Sequence, residues 1–560
     1  MRLATRPLKL VACLLIVPLA GIGWQLVRVA AAGAAALQTQ PEVIPSPPAS
    51  AAVESPSALR YVGSGSCAAR ACHGNPTLTR RGESNSAYVI WLSTDPHAQA
   101  FAILSTPEAQ HMAEALDLGD ATKADRCLAC HSLSSGARPT APGVNPAALR
   151  ADGVGCEACH GPAEKYLAEH TLNRWRKPGD PKFDPNFGMT DTAGITPRAA
   201  ICAGCHVGQP DAEGRPWRDV NHDLIAAGHP RLNFEFSAYM ANLPPHWNVK
   251  RDPERFDELH SWIAGQLASA DAALKLLQCR AAAAPASQTA GERTFVPGSW
   301  PELSEYDCFS CHHDLRGSSW RQASHRTVAA AERSAPPPAD QPKPPHGSPG
   351  WGTWYFQGPR ILAVTPAIMS KPTSIDWLES LNGLTATMQA ALPDASTARQ
   401  QAGSCSAKLA VAPSAVDQLF ASSMPADQAA MPAAVLKSLT DQFHRQRPRD
   451  WDQFVQYYLA LVAIERSQSQ ALTESSNQRA KELLLAVRNR LSFPVGGMST
   501  GAPQSSAAPS PNLRVMNPGY NSPLDFDPEA KQAGAPPDDP SGKSLIELFD
   551  EALAALSTHE

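Results

Sequence analysis

The chain has 560 residues, a formal net charge of −5 and 18% charged residues. That length suits two or three domains, and that balance offers neither a basic surface for nucleic acid nor a site built for acidic substrates. Proline, at 52 residues, stands at about twice ordinary usage, so turns and extended connections should claim much of the chain.

Arg2, Arg6 and Lys9 precede an uncharged apolar run from Leu10 to Trp24, followed by the small residues of 30–36. This is the plan of an export signal over residues 1–36. Extending the run to Val27 brings it near the ~20 residues of a membrane span. An uncleaved anchor, and with it membrane association through the N-terminus, therefore stays open. Leu10-Val11-Ala12-Cys13 resembles a lipoprotein box only superficially, because the apolar run continues past Cys13. Residues 37–60, rich in Pro, Ser and Ala without a period, read as a flexible linker.

The next region carries a repeated motif. Cys127-Leu-Ala-Cys130-His131 recurs as Cys156-Glu-Ala-Cys159-His160, Cys202-Ala-Gly-Cys205-His206 and Cys308-Phe-Ser-Cys311-His312. A widened form, Cys67-Ala-Ala-Arg-Ala-Cys72-His73, comes first. Cys-x-x-Cys-His is the attachment signature of c-type haem. The two thiols form thioethers with the porphyrin vinyl groups, and the adjacent His reaches the iron as an axial ligand. Zinc knuckles share the Cys spacing but do not require that His, and disulfides would not explain it either. Five covalently attached haem c groups are therefore predicted, their irons held by His73, His131, His160, His206 and His312. Each macrocycle adds apolar core that the polypeptide need not supply. Export agrees with this, since c-type haem is attached outside the cytoplasm.

The predicted fold is mainly α with extensive coil: a pentahaem cytochrome c domain over 61–333, then a small all-α C-terminal domain. In the first, helical stretches run over Ser86–Ile103, with Trp91 and His97, over Glu108–Leu118, with His111, and over Phe256–Cys279, whose apolar residues recur at helical spacing. A Pro-rich linker at 334–350 follows. Residues 351–494 then predict helices from Thr373, opened by a capping box, to Leu392, over Pro432–Arg445, Trp451–Gln470 and Ala471–Leu491. The tail, 495–560, reads as mostly disordered, ending in an amphipathic helix over Leu545–Leu556. Its acidic polar face favours docking on protein over membrane. Beyond the ten motif thiols and Cys13, Cys279 and Cys405 remain. In an oxidising compartment they would form a disulfide or stay as two separate buried thiols.

A family resemblance is carried by Gly153-Val-Gly-Cys156-Glu-Ala-Cys159-His160-Gly-Pro162, by Trp91 with Asp95-Pro96-His97-Ala98 after the first motif, and by Ala168-Glu169-His170 after the third. Over about Tyr61 to Val207 the chain resembles the multihaem cytochromes that include hydroxylamine oxidoreductase and its tetrahaem electron acceptor. The resemblance implies that His97 serves the iron of His160 and His170 the iron of His73. It also implies an iron at His131 with no second protein ligand, for which His111 is the competing candidate, and a downstream His for the fourth iron. His222 and His229 stand seven apart, two turns along one helical face, and are assigned to the irons of His206 and His312 in either order. His246 reads as a structural or propionate contact and His260 as a packed residue. His313 is badly placed to reach the far face of its own haem, and His325, His346, His444 and His559 carry little signal.

The second axial position decides function, because two histidines close an iron to everything but electrons. The leading expectation is an exported pentahaem electron carrier working between redox proteins as donor and acceptor. One alternative is an oxidoreductase acting on a small nitrogen or sulfur oxyspecies at an open second haem; no Cys-x-x-Cys-Lys motif marks the nitrite-reducing branch. Another is a docking subunit of a larger electron-transfer complex, with the C-terminal domain holding the partner.

Overall fold

The computed structural model describes residues 59–76, 84–133, 140–172, 175, 186–210, 217–247, 257–284, 300–308, 311–312, 349–365, 368, 373–421, 425–448, 450–468, 472–491 and 543–557. The expected leader at 1–36, most of both expected linkers, the expected tail up to 542, and Cys13, His313, His325, His346 and His559 lie outside them.

The motif-bearing half is short helices joined by loops. Among the described residues there is no strand, only isolated bridges at Tyr61–Thr140, Gln209–Arg218 and Tyr306–Trp351. Helix α1, Ala87–Thr94, stops at Asp95, because the residue before a proline is driven out of helical conformation. The chain continues as 3-10 turns over Pro96–Gln99 and Ala102–Ser105, so the single helix expected over Ser86–Ile103 is broken at Asp95. Helix α2, Pro107–Ala115, is capped by the Thr106 hydroxyl, which accepts from Ala109 N at 3.3 Å. Helices α3, Asp125–His131, α4, Cys156–His160, and α6, Ile195–His206, each end on a motif His. Helical spacing then sets the two thiols and the imidazole on one side of the chain. Between α4 and α6 lies α5, Tyr166–Glu169.

After α7, His222–Ala226, and α8, Phe236–Asn242, comes the central helix α9, Glu258–Ala282. Asp257 caps it, accepting from His260 N at 2.7 Å. Leu259, Ile263, Leu267, Ala270, Leu274 and Leu277 form its buried stripe. Gly265 lets α8 approach closely: a Cβ there would lie 2.5 Å from that of Phe236.

The second half is a helical bundle of α10, Gln357–Ala363, α11, Thr373–Met388, α12, Ala395–Leu409, α13, Ala412–Ala421, α14, Pro425–Arg445, α15, Trp451–Gln468, α16, Glu474–Leu491, and α17, Leu545–Ser557. Helix α14 begins well before the expected Pro432, which sits inside it. Proline there removes one helical hydrogen bond, and the burial of Val435, Leu436, Leu439 and Phe443 outweighs that loss. Helix α17 buries Leu545, Leu548, Phe549, Leu553 and Leu556, with Phe549 against Phe443 at 5.3 Å and Phe454 at 5.6 Å. Each such side chain contributes about 1.5–3 kcal/mol. Helix α9 shares its apolar core with this bundle, and Ala58–Glu560 forms one compact unit, so the Pro-rich stretch does not separate two cores. No disulfide joins Cys279 to Cys405, which is fully buried.

Candidate metal centres

Each of the five motif histidines faces a second imidazole. The ring centres of His73 and His170 lie 6.3 Å apart, His97 and His206 6.1 Å, His131 and His229 6.4 Å, His160 and His246 6.4 Å, and His222 and His312 6.2 Å. The spacing is nearly constant while the interplanar angle runs from 9° to 88°. Other ring pairs scatter more widely, from 4.1 Å for His260 and Phe420 to 6.2 Å for Trp354 and Trp451. A constant spacing at any angle is what one shared central atom imposes. With metal–imidazole bonds of about 2 Å and half a ring beyond each nitrogen, gaps of this size would take one metal ion between each pair of rings.

The outer ring nitrogens are tied back, which turns the inner ones toward the gap. Nδ1 of His131 donates to the Ala100 carbonyl at 2.8 Å, that of His170 to Tyr166 O at 2.9 Å and that of His229 to Pro230 O at 2.8 Å. Nδ1 of His97 meets a carboxylate, Asp95 Oδ1, at 2.9 Å. Burial pushes His160 and His206 down to about 4, leaving neutral rings with a lone pair to donate. Burial also lowers His131, His229 and His246. Among the described residues no group of three or more His, Cys, Asp or Glu converges as a zinc site would require. Two nitrogen donors from each pair would suit a metal ion whose remaining donors come with a cofactor.

The pairing corrects several expectations. His170 stands opposite His73, but His97 faces His206 rather than His160. The break at Asp95-Pro96 and the bond from Val154 N to His97 O at 3.1 Å aim it there. His246, read as structural, is the imidazole opposite His160. His222 and His229 do not share a helical face. Helix α7 ends at Ala226, and Gly228, at φ 120°, turns the chain so that His222 meets His312 and His229 meets His131. The position at His131 thus faces an imidazole, while His111 is exposed on α2. His260 packs between Phe420 and Asp417, whose Oδ1 lies 3.2 Å from its Nε2.

The attachment sites touch. The Cys67 thiol lies within hydrogen-bonding reach of Cys156, and that contact, with burial, pushes its pKa far up. Cys130 is similarly within reach of Cys205. Cys159 lies near enough to Cys205 to feel its charge. Arg218 bridges the second and fourth motifs, donating from Nε to Ala129 O at 2.7 Å and from its guanidinium to Gly204 O at 3.5 Å. Glu157, inside the third motif, accepts from the backbone N–H of Val62, Gly63 and Ala163, locking that motif to the segment ahead of the first.

The bundle reaches these sites. Arg231, two residues after His229, is held by Asp452 through two bonds of 2.8 Å, and Thr353 also donates to Asp452 at 2.8 Å. Trp354 Nε1 donates to Phe234 O and Tyr355 OH to Leu232 O, both at 3.0 Å. Thr196, on α6, donates to Asp417 at 2.6 Å. Sequence reasoning passed over these braces, which are lone residues without a motif.

Residues 67–161 match the family model described as cytochrome c554 and c-prime. No curated protein and no solved structure matches the chain.

Proposed function

We propose, from the match of residues 67–161 to the cytochrome c554 and c-prime family model, that the chain is an exported pentahaem cytochrome c that carries electrons between redox proteins. The observation that carries this reading is the set of five imidazole pairs spaced 6.1 to 6.4 Å. Haem c, when bound, supplies reversible one-electron iron chemistry.

The residues of the chain do the rest. Each Cys pair would hold one macrocycle through two thioethers. Each His pair would hold one iron between two imidazoles, leaving a substrate nowhere to bind. That arrangement favours a carrier over an oxidoreductase, since His131 itself faces a second imidazole, His229. Contacts between motifs support the order first, third, fourth, second, fifth: Cys67 beside Cys156, Cys159 near Cys205, Cys205 beside Cys130, and His229 on the segment that also carries His222. The bundle is best read as a brace for the later ligands, above all through Asp452 and Arg231. The leader at 1–36 supports a place outside the cytoplasm, free or anchored to the membrane.

Electron paramagnetic resonance of the oxidised protein tests the proposal. Five haems by mass and only low-spin ferric signals are expected. A high-spin iron that binds cyanide or nitric oxide would overturn it in favour of catalysis.

A further inference from the structure

The group at issue is the buried carboxylate of Asp95. It is 6% exposed, deep for an acidic side chain. Asp95 N donates to Trp91 O at 3.2 Å, closing α1. Its Oδ1 then accepts from both the backbone N–H of His97, at 3.0 Å, and His97 Nδ1, at 2.9 Å. The segment is fixed from outside by Trp91 Nε1, which donates to Val154 O at 3.1 Å. Capping a 3-10 turn needs only the backbone bond. The second bond places a full negative charge on the far side of the imidazole that faces His206.

We propose that Asp95 is a positioning residue that lowers the reduction potential of the fourth haem, by bonding His97 and holding charge beside that iron. The proposal rests on His97 and His206 being the two axial ligands of one haem. A carboxylate on Nδ1–H draws that proton and makes Nε2 a stronger donor, which stabilises the ferric ion over the ferrous. The carbonyls bonded to His131, His170 and His229 carry no net charge and do this less. The step is one electron from a neighbouring haem or an added reductant taking Fe(III) to Fe(II); Asp95 stays ionised, Nδ1 keeps its proton, and nothing else moves.

The test is an optical redox titration of the full haem-loaded protein, with dithionite and ferricyanide, on the unaltered chain, Asp95→Asn and Asp95→Glu. Asn caps a turn as well as Asp does, so the backbone bond survives. Expected in Asp95→Asn is one midpoint moved upward by a tenfold change in the ferric-to-ferrous balance, the size of change a removed outer partner produces, or ~59 mV for one electron. Five low-spin irons should remain, and Asp95→Glu should return most of the shift. Unchanged midpoints in Asp95→Asn would overturn the proposal. So would a Glu variant shifted as far as Asn, or a loss of low-spin irons in Asp95→Asn, which would make Asp95 merely structural. If the unaltered chain itself lacked five low-spin irons, the axial pairing would fail instead.

Discussion

The two halves of this molecule are held together by different means. In the bundle, one continuous apolar cluster runs through α9 to α17 and includes Trp262, Trp377, Phe443, Phe454 and Phe549. In the motif-bearing half the clusters are small: Leu104, Ala113, Ala121 and Leu128 in one, Ala163, Tyr166 and Trp175 in another. On the proposed reading, haem would supply in the first half the core that the second builds from side chains. It follows that the halves should respond differently to loss of haem, and that the bundle lends rigidity where ligands must be held.

The largest expected effect comes from withholding haem. In chain made without haem attachment, hydrogen exchange should find α1 to α7 unprotected while α9 to α17 keep their protection. Uniform protection, or uniform loss, would break the comparison. Next is the brace between the halves. Asp452→Ala leaves the Arg231 charge, 20% exposed, unmatched, a loss below the roughly 3–5 kcal/mol of a fully buried pair. Denaturant unfolding should register that loss, and the freed His229 should leave one iron high-spin. A variant that keeps both stability and spin state would show the bundle to be a bystander.

A narrower effect isolates one site. His246→Ala should convert a single iron, that of His160, to high spin, while His111→Ala should change no spectrum. The smallest effect concerns Glu235, which caps α8 by accepting from Ser237 N at 3.0 Å and Ala238 N at 2.8 Å. Burial pushes its carboxyl up to about 7 from the ordinary 4.5. The folded chain keeps this proton to higher pH than the unfolded chain does. The stability it contributes is therefore full at acid pH and lost as pH rises through about 7. Glu235→Gln cannot lose a proton, so relative to the unaltered chain it should gain roughly 2–3 kcal/mol between pH 5 and pH 8. A pH-independent difference would contradict this.

What the sequence made legible follows from range. The motif thiols and their histidines obey local covalent spacing, so they were readable, and α9 and α17 were readable from dense apolar periods. The second imidazoles come from far along the chain and answer to tertiary packing. His229 was misassigned because Gly228 ends a turn that a continuous helix would have carried on, and His246 lies in a Pro-rich stretch with no period. Helices α12 and α13 went unseen for another reason. The buried stripe of α12 is Ala398, Ala402, Cys405 and Leu409, mostly small side chains that give little hydrophobic contrast. In the sequence Asp95 is only part of a short match, because its bond to His97 depends on the chain breaking at Pro96.

Which imidazoles share which iron is tested most directly by anomalous scattering at the iron edge from crystals of the haem-loaded protein. Five iron peaks are expected, one each between His73 and His170, His131 and His229, His160 and His246, His206 and His97, and His312 and His222. An iron with only one protein ligand, or one bridging a different pair, would contradict it.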